Sequence, residues 1–456
     1  MLADALRADP AGLTDALGLV DGLDDALVHG LARLDEERAA ACESFAAVFT
    51  GSPLADRVAD SLGKIVAGAV TDEHLAVLAG ARAVVLGAAH DALLGGLDKA
   101  LGRSREPWTV PGEPERPGGL LAGGRSWLRE LAIAGWRGVD HELAAGGAQA
   151  VQALLADPAT RRLAVLLDGF AAELRGAAPV ATLDRIPVRR WADLWTRSLL
   201  LSQDGFPGQP VTPADGRFLL LGADLHEHPT VFQVRAHGLL ETPGGDVRLV
   251  RASVAAAKVD TISGPSAWRM LAAFPVFLAA LAGHRVVEIS GMPLTPAGDL
   301  IWDESRAVAG EPADPFATAR VRLGGAVAPP APPLDRHPAA IAEPVLLEGY
   351  TAGAESFELP GGVTLAVDLD RLPEAGPLTP ALVAASTACL GLLRWDAGRW
   401  AVQPLAVQAL VRKKPVIAHT ADWALGPTEP KAAKAEAAAG TAVDVLRERA
   451  GRLLRK

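Results

Sequence analysis

Apolar residues recur every three or four positions along the first two hundred residues, and every second position in parts of the remainder. Leu23, Leu27, Leu31 and Leu34 form one stripe, with acids and Arg33 between them, the spacing of a helix face turned toward a core. Leu54, Val58, Leu62, Ile65 and Val66 form a second, behind a Ser52-Pro53 start that suits a first helical turn. Thr71-Asp-Glu-His opens a third helix with acids where the helix dipole favours them. Its body, Leu75 to Leu97, is apolar nearly all round and belongs at the centre of a bundle. Trp191, Leu194, Trp195, Leu199 and Leu200 give a further stripe, expected to pack against a sheet.

Beyond residue 217 the pattern changes. Phe218-Leu-Leu-Leu, Val231-Phe-Gln-Val-Arg, Val247-Arg-Leu-Val-Arg and Arg285-Val-Val-Glu-Ile-Ser read as short strands, interrupted by one long apolar helix over 265–281. Thr242-Pro-Gly-Gly-Asp is a turn whose glycines supply the positive φ that hairpins need, and Pro296-Ala-Gly-Asp closes a second hairpin. Pro360-Gly-Gly-Val-Thr-Leu-Ala-Val repeats the turn-and-strand pattern. An apolar helix over 379–393 and a turn at Asp396-Ala-Gly would complete two related strand–helix–hairpin halves.

The expected fold is therefore α+β: an N-terminal all-α bundle, then a mixed, mainly antiparallel sheet region with packed helices. The expected divisions are a bundle over 1–104, a Pro/Gly-rich linker over 105–125, a helical segment over 126–202 and a central α+β domain over 217–308. A Pro-rich linker over 309–343, expected to be extended and largely unpacked, leads to a second α+β domain over 344–425. An amphipathic helix over 429–456 follows, with Val443, Leu446, Leu453 and Leu454 on one face as a candidate interaction surface.

Composition narrows the role. The chain of 456 residues carries a formal net charge of −10, which lacks the long-range attraction for phosphate that non-specific nucleic-acid binding requires. Asn is absent and Arg far outnumbers Lys, a bias of coding rather than of chemistry. Cys42 and Cys389 lie far apart among small apolar residues, so no zinc-ribbon spacing exists and two reduced, buried thiols are expected. The N-terminus is acidic where a signal peptide is basic, and the apolar helix near 267–283 contains Arg269 and Pro275. A cytoplasmic protein with no membrane span is the expectation.

Candidate chemistry is sparse. In Asp224-Leu-His226-Glu-His228, strand alternation would put Asp224, His226 and His228 on one face as metal ligands, with His237 near them across the ladder. Gly119-Leu-Leu-Ala-Gly-Gly-Arg-Ser resembles a phosphate loop, but Arg stands where Lys is required and no strand delivers it. Asp368-Leu-Asp370 pairs two carboxylates at a strand end, where a cap is the simpler role. No cofactor is expected. Gly135-Trp-Arg-Gly-Val-Asp-His-Glu-Leu and Arg189-Arg-Trp-Ala-Asp-Leu-Trp-Thr-Arg-Ser-Leu-Leu resemble accessory proteins of MoxR-type ATPase systems, which also include von Willebrand A-domain and SWIM zinc-finger components. That resemblance implies a non-catalytic companion with protein partners from an AAA+ ATPase system. The first expectation is thus a non-enzymatic scaffold or adaptor subunit of a cytoplasmic assembly. A metal-dependent hydrolase or transferase using Asp224, His226 and His228 is the second, and a small-ligand binding protein with its pocket between sheet and helix is the third.

Overall fold

The computed structural model describes residues 2–110, 118–157, 159–203 and 210–434, with residues 436–437, 444–445 and 448. It is α+β, as the periodicity predicts. The helices of the first part are α1 (Leu2–Arg7), α2 (Leu13–His29), α3 (Glu36–Ala47), α4 (Ala55–Val66), α5 (Asp72–Leu101), α6 (Gly118–Ala134), α7 (His141–Ala145), α8 (Ala148–Leu155), α9 (Arg161–Ala177) and α10 (Val188–Leu201).

All the helices from α2 to α10 contribute to one apolar core, in which Leu23, Leu62, Leu78, Leu128, Leu167, Trp191 and Trp195 meet. The 1–104 and 126–202 segments therefore share a core. The glycines of the loop-like stretch 119–126 lie inside α6, so the expected linker ends at Gly118. Trp191 and Trp195 pack into this bundle core rather than on a sheet.

Helix α5 is the spine of the molecule. Leu75, Leu78 and Leu86 sit in the bundle core, while Ala89, Leu93 and Leu97 further along pack on the second sheet. By length and composition α5 is apolar enough to cross a membrane, but 67% of its most apolar window is buried within the fold. That is the environment of a core helix.

The first sheet comprises β1 (Thr212–His228), β2 (Val231–Glu241), β3 (Val247–Ala257), β4 (Arg285–Leu294), β5 (Asp299–Leu300) and β6 (Ala307–Pro312). Its order is β1-β2-β3-β5-β4-β6, and β4 also pairs with β1, so five strands close into a ring. The 242–246 turn joins β2 to β3 with Gly245 at φ 88°, and the 296–298 turn joins β4 to β5. The helix expected over 265–281 is instead two pieces, a 3-10 helix Gly264–Leu271 and α11 (Pro275–Ala282). Pro275 causes the break: it has no N–H to continue the first piece, and it disfavours helical geometry at Phe274.

One face of this sheet (Phe218, Phe232, Val234, Val250, Val287) is buried within the ring and under Trp268 and Phe277. The other face divides in two. At one end Leu219, Leu221, Leu239 and Leu249 pack on α12 (Pro315–Arg322) and the second sheet. At the other end the same face turns charged. A β-bulge makes the change on β1: Leu220 opposes Gly238 but Gly222 opposes His237, leaving Leu221 extra. The bulge shifts the alternation by one, so that Ala223 and Leu225 enter the ring core while Asp224 and His226 share the outer face with Arg235. Gly222 is required there because an added Cβ would lie 2.7 Å from Leu405 Cβ of the second sheet. Gly222→Ala is expected to cost about 1–3 kcal/mol by overpacking, measured as a lower denaturant midpoint with unchanged slope.

The second sheet holds β7 (Ala342–Glu348), β8 (Thr351–Ala352), β9 (Ser356–Leu359), β10 (Val363–Val367), β11 (Ser386–Asp396), β12 (Arg399–Val411) and β13 (Lys414–His419). Its order is β7-β11-β12-β10-β9-β8, with β13 also on β12. The expected turns at 360–362 and 396–398 join β9 to β10 and β11 to β12. The expected helix over 379–393 shrinks to α13 (Pro380–Ala384), and its apolar remainder is β11. A short apolar run fits a fully buried strand as well as a helix, and here both neighbours of β11 claim it as a strand. Cys42 and Cys389 are buried free thiols.

The Pro-rich segment also departs from expectation. Residues 309–343 contain the end of β6, α12 and a strap that is packed rather than loose: Ala328, Pro330, Pro332 and Pro338 are buried. Ala328 exchanges backbone hydrogen bonds with Ser104 and Glu106, and Arg105 Nη1 donates to Pro329 O at 2.8 Å. Prolines carry no N–H, so a strap rich in them can be buried without a full ladder of partners.

Candidate functional site

Between the bundle, the charged end of the first sheet and the strap lies a cavity of about 820 Å³, within the size range of small-molecule sites. Helices α5 and α10 form one wall, through Leu86, His90 and Leu94 and through Arg189, Asp193 and Arg197. The strap, residues 329–343, forms a second wall. The floor is the outer face of β1, β2 and β3, which presents Asp224, His226, Arg235, His237 and Arg251, with Asp299 from β5 and Arg394 from β11 beside it.

The floor is organised by Asp224, 2% exposed. Gln403 Nε2 donates to its Oδ1 at 2.7 Å, Arg394 Nη2 donates to its Oδ2 at 3.0 Å, and His226 Nε2 lies 2.9 Å from Oδ2. Burial alone would raise this carboxyl, but His226, Arg394 and Gln403 outweigh it and hold it well below the ordinary carboxylate range. Arg251 donates a bidentate pair to Asp299, from Nε to Oδ1 at 2.5 Å and from Nη2 to Oδ2 at 3.0 Å.

Arg235 is different. It donates only through Nε to Ser253 Oγ, at 3.3 Å, and has no carboxylate partner among the described residues. Burial and the neighbouring Arg251 both weaken its hold on its proton. The terminal nitrogens of Arg235, Nη1 of Arg251 and Nη1 of Arg394 accordingly have no protein acceptor among the described residues. Two residues along β2, His237 is 5% exposed and its buried Nε2 has no hydrogen-bond partner among the described residues. Burial pushes its imidazole down to about 3, so the ring is neutral at pH 7. The buried Nε2 of His237 carries a desolvation cost, whereas the terminal nitrogens of Arg235 line the cavity.

The proposed metal set is not assembled. Asp224 and His226 meet, but His228 is exposed near the β1–β2 turn with Nδ1 3.1 Å from Thr230 Oγ1, and His237 opposes Gly222 rather than Asp224. Among the described residues no group of three His, Cys, Asp or Glu is placed to hold a metal ion. Strand alternation correctly gives Asp224 and His226 a common face, but their neighbours there are guanidiniums, which are competitors of a cation. Asp368 pairs with Arg371 at 2.7 Å beyond the end of β10, and Asp370 is in the 3-10 turn that follows. Val443, Leu446, Leu453 and Leu454 lie outside the described residues.

Sequence reasoning missed Arg235, Arg251, Arg394 and the strap. In a chain so rich in Arg, no local pattern separates an unpaired guanidinium from paired ones. Segments 135–143 and 189–201 lie in the bundle: Trp136, Trp191 and Trp195 are core residues, while Arg189, Arg190 and Asp193 reach the cavity. Comparison with known proteins finds no matching family model, no matching curated protein and no matching solved structure.

Proposed function

We propose that this protein binds a small anionic ligand in the cavity between bundle, sheet and strap. The observation that carries the reading is the state of Arg235, a half-buried guanidinium without a carboxylate partner among the described residues. A bound oxyanion would accept hydrogen bonds from the free guanidinium nitrogens and return a counter-charge to the floor. The test is thermal unfolding with a panel of carboxylates, phosphates and sulfate at constant ionic strength. At least one anion is expected to raise the melting temperature in proportion to the logarithm of its concentration. Arg235→Gln is expected to abolish that rise; an equal rise in both proteins would place the effect elsewhere.

The adaptor role in a cytoplasmic assembly, with a protein partner such as an AAA+ ATPase, is the alternative proposal. Leu410, Val411 and Ile417, exposed where β12 meets β13, favour it, since grouped apolar exposure on a sheet edge suits a partner. Purification from the native source with mild crosslinking tests it: a stoichiometric partner supports the role, and a chain recovered alone counts against it.

A further inference from the structure

We propose that the tip of the β12–β13 hairpin docks on an anionic lipid surface, with its cations on the headgroups and Leu410 and Ile417 in the layer beneath. The tip is basic in an acidic protein. Arg412, Lys413 and Lys414 are consecutive and exposed, and the chain has no Asp or Glu between Asp396 and Asp422. None of the three cations has an ion-pair partner among the described residues. Val411 pairs with Lys414, so Arg412 and Lys413 form a two-residue turn, both in the left-handed region at φ 51° and 65°. That turn holds the cations at the end of the hairpin. The whole chain carries a charge of −10, but at physiological salt fields fade within about 8 Å. The tip therefore meets a surface with its own charge.

Beside the cations the hairpin is apolar and bare. Leu410 opposes Pro415 and Gln408 opposes Ile417, which puts these four on one face. Arg320 of α12 donates to Gln408 at 3.0 Å, but Leu410 is 57% and Ile417 49% exposed, and Pro415 is exposed as well. Val411, on the other face, is also exposed. Apolar side chains flanking cations suit the headgroup region of a bilayer, where Lys and Arg stems reach back to phosphate. An added strand from a protein is the competing occupant, and the edge of β13 is poorly built for it. Lys414, Val416 and Ala418 turn their N–H groups toward β12. On the outer side Pro415 has no N–H, and the His419 N–H donates to Asp422 at 2.9 Å. Ile417 is left as the only free donor of that edge among the described residues, too little for a ladder.

The test is co-sedimentation of the full chain with vesicles of phosphatidylcholine alone and of equal parts phosphatidylcholine and phosphatidylserine, at physiological ionic strength. Sedimentation with the mixed vesicles and not with phosphatidylcholine alone is expected, since each cation near an anionic surface strengthens binding about fivefold. Lys413→Glu with Lys414→Glu should weaken binding at least about tenfold, and Leu410→Ser with Ile417→Ser at least about fivefold. All four positions are exposed, and thermal midpoints check that both variants fold. Arg235→Gln, in the cavity, should sediment as the native chain does, which separates this surface from the anion site. No sedimentation with the mixed vesicles, equal sedimentation with both kinds, native behaviour of either hairpin variant, or loss in Arg235→Gln would each overturn the proposal. Binding of soluble polyglutamate by a chain that ignores the vesicles would overturn it too, and would give the hairpin to an acidic protein partner.

Discussion

Arg82→Ala is expected to destabilise the bundle by about 3–5 kcal/mol, the cost of removing one partner from a buried ion network. Arg82 is 1% exposed on α5. Its Nε and Nη2 donate to Asp24 of α2 at 2.6 and 2.9 Å, and its Nη1 donates to Asp193 of α10 at 2.6 Å. Three helices thus converge on one guanidinium. Without it, Asp24 stays fully buried with only Arg189 as a cation partner. The measurement is the denaturant midpoint of the variant against the native chain. A shift under about 1 kcal/mol would mean that water or Arg189 replaces the missing charge. Asp24→Asn together with Arg82→Met should recover part of the loss, because removing both charges removes the unmatched one.

The second large effect is on pH. His237 and His419 are both buried, and burial, with His284 adding to it at His419, pushes their imidazoles down to about 3 and about 4. In the unfolded chain each takes up a proton near pH 6.5. Their folded values are lower, so the unfolded state binds more protons as pH falls, and stability present above about 6.5 is lost between there and the folded values. Lowering the pH from about 7.5 to 4.5 should cost roughly 2–3 kcal/mol per ring, or about 5 kcal/mol for the two. Carboxylates such as Asp224, with lowered folded values, begin to lose their contribution only below about pH 5, so the decline between about 7.5 and 5 belongs to the imidazoles. Midpoints measured across this range for the native chain, His237→Gln and His419→Gln check the assignment. Each variant should show a shallower decline, and a native midpoint flat from 7.5 to 4.5 would refute it.

His419 owes its environment to the junction between the sheets. Its ring lies 4.0 Å from that of His284 and 5.9 Å from that of Phe316, and Asp422 accepts from the His419 backbone N–H at 2.9 Å while lying 2.7 Å from His284 Nε2. With Asp422 already held by His284, a protonated His419 would face a second imidazole and an aromatic edge.

The elements legible in the sequence are those set by local periodicity. The stripe that starts at Leu23 is helical as far as His29, with Leu31 and Leu34 in the turn beyond, the stripe at 54–66 is α4 behind its cap Leu54, the 242–246 and 396–398 turns are hairpins, and Asp224 and His226 do share a face. Three features were hidden because local pattern does not encode them. The apolar run 386–393 fits helix or strand until β7 and β12 claim it. The prolines of 329–333 signal an extended chain but not what covers it. The cavity floor joins residues as distant as Asp224 and Arg394, 170 positions apart, through a bulge whose only sequence trace is Gly222 after three leucines. A small-ligand pocket between sheet and helix ranked third from sequence alone. The unpaired Arg235 moves it first, because that observation is one of geometry and not of composition.

The most direct measurement is a structure determined from crystals grown with the carboxylate, phosphate or sulfate that raises the melting temperature most. Oxyanion density within about 3 Å of the Arg235 Nη atoms is the predicted result. Full occupancy at any other place on the chain, with the floor of the cavity empty, would contradict it.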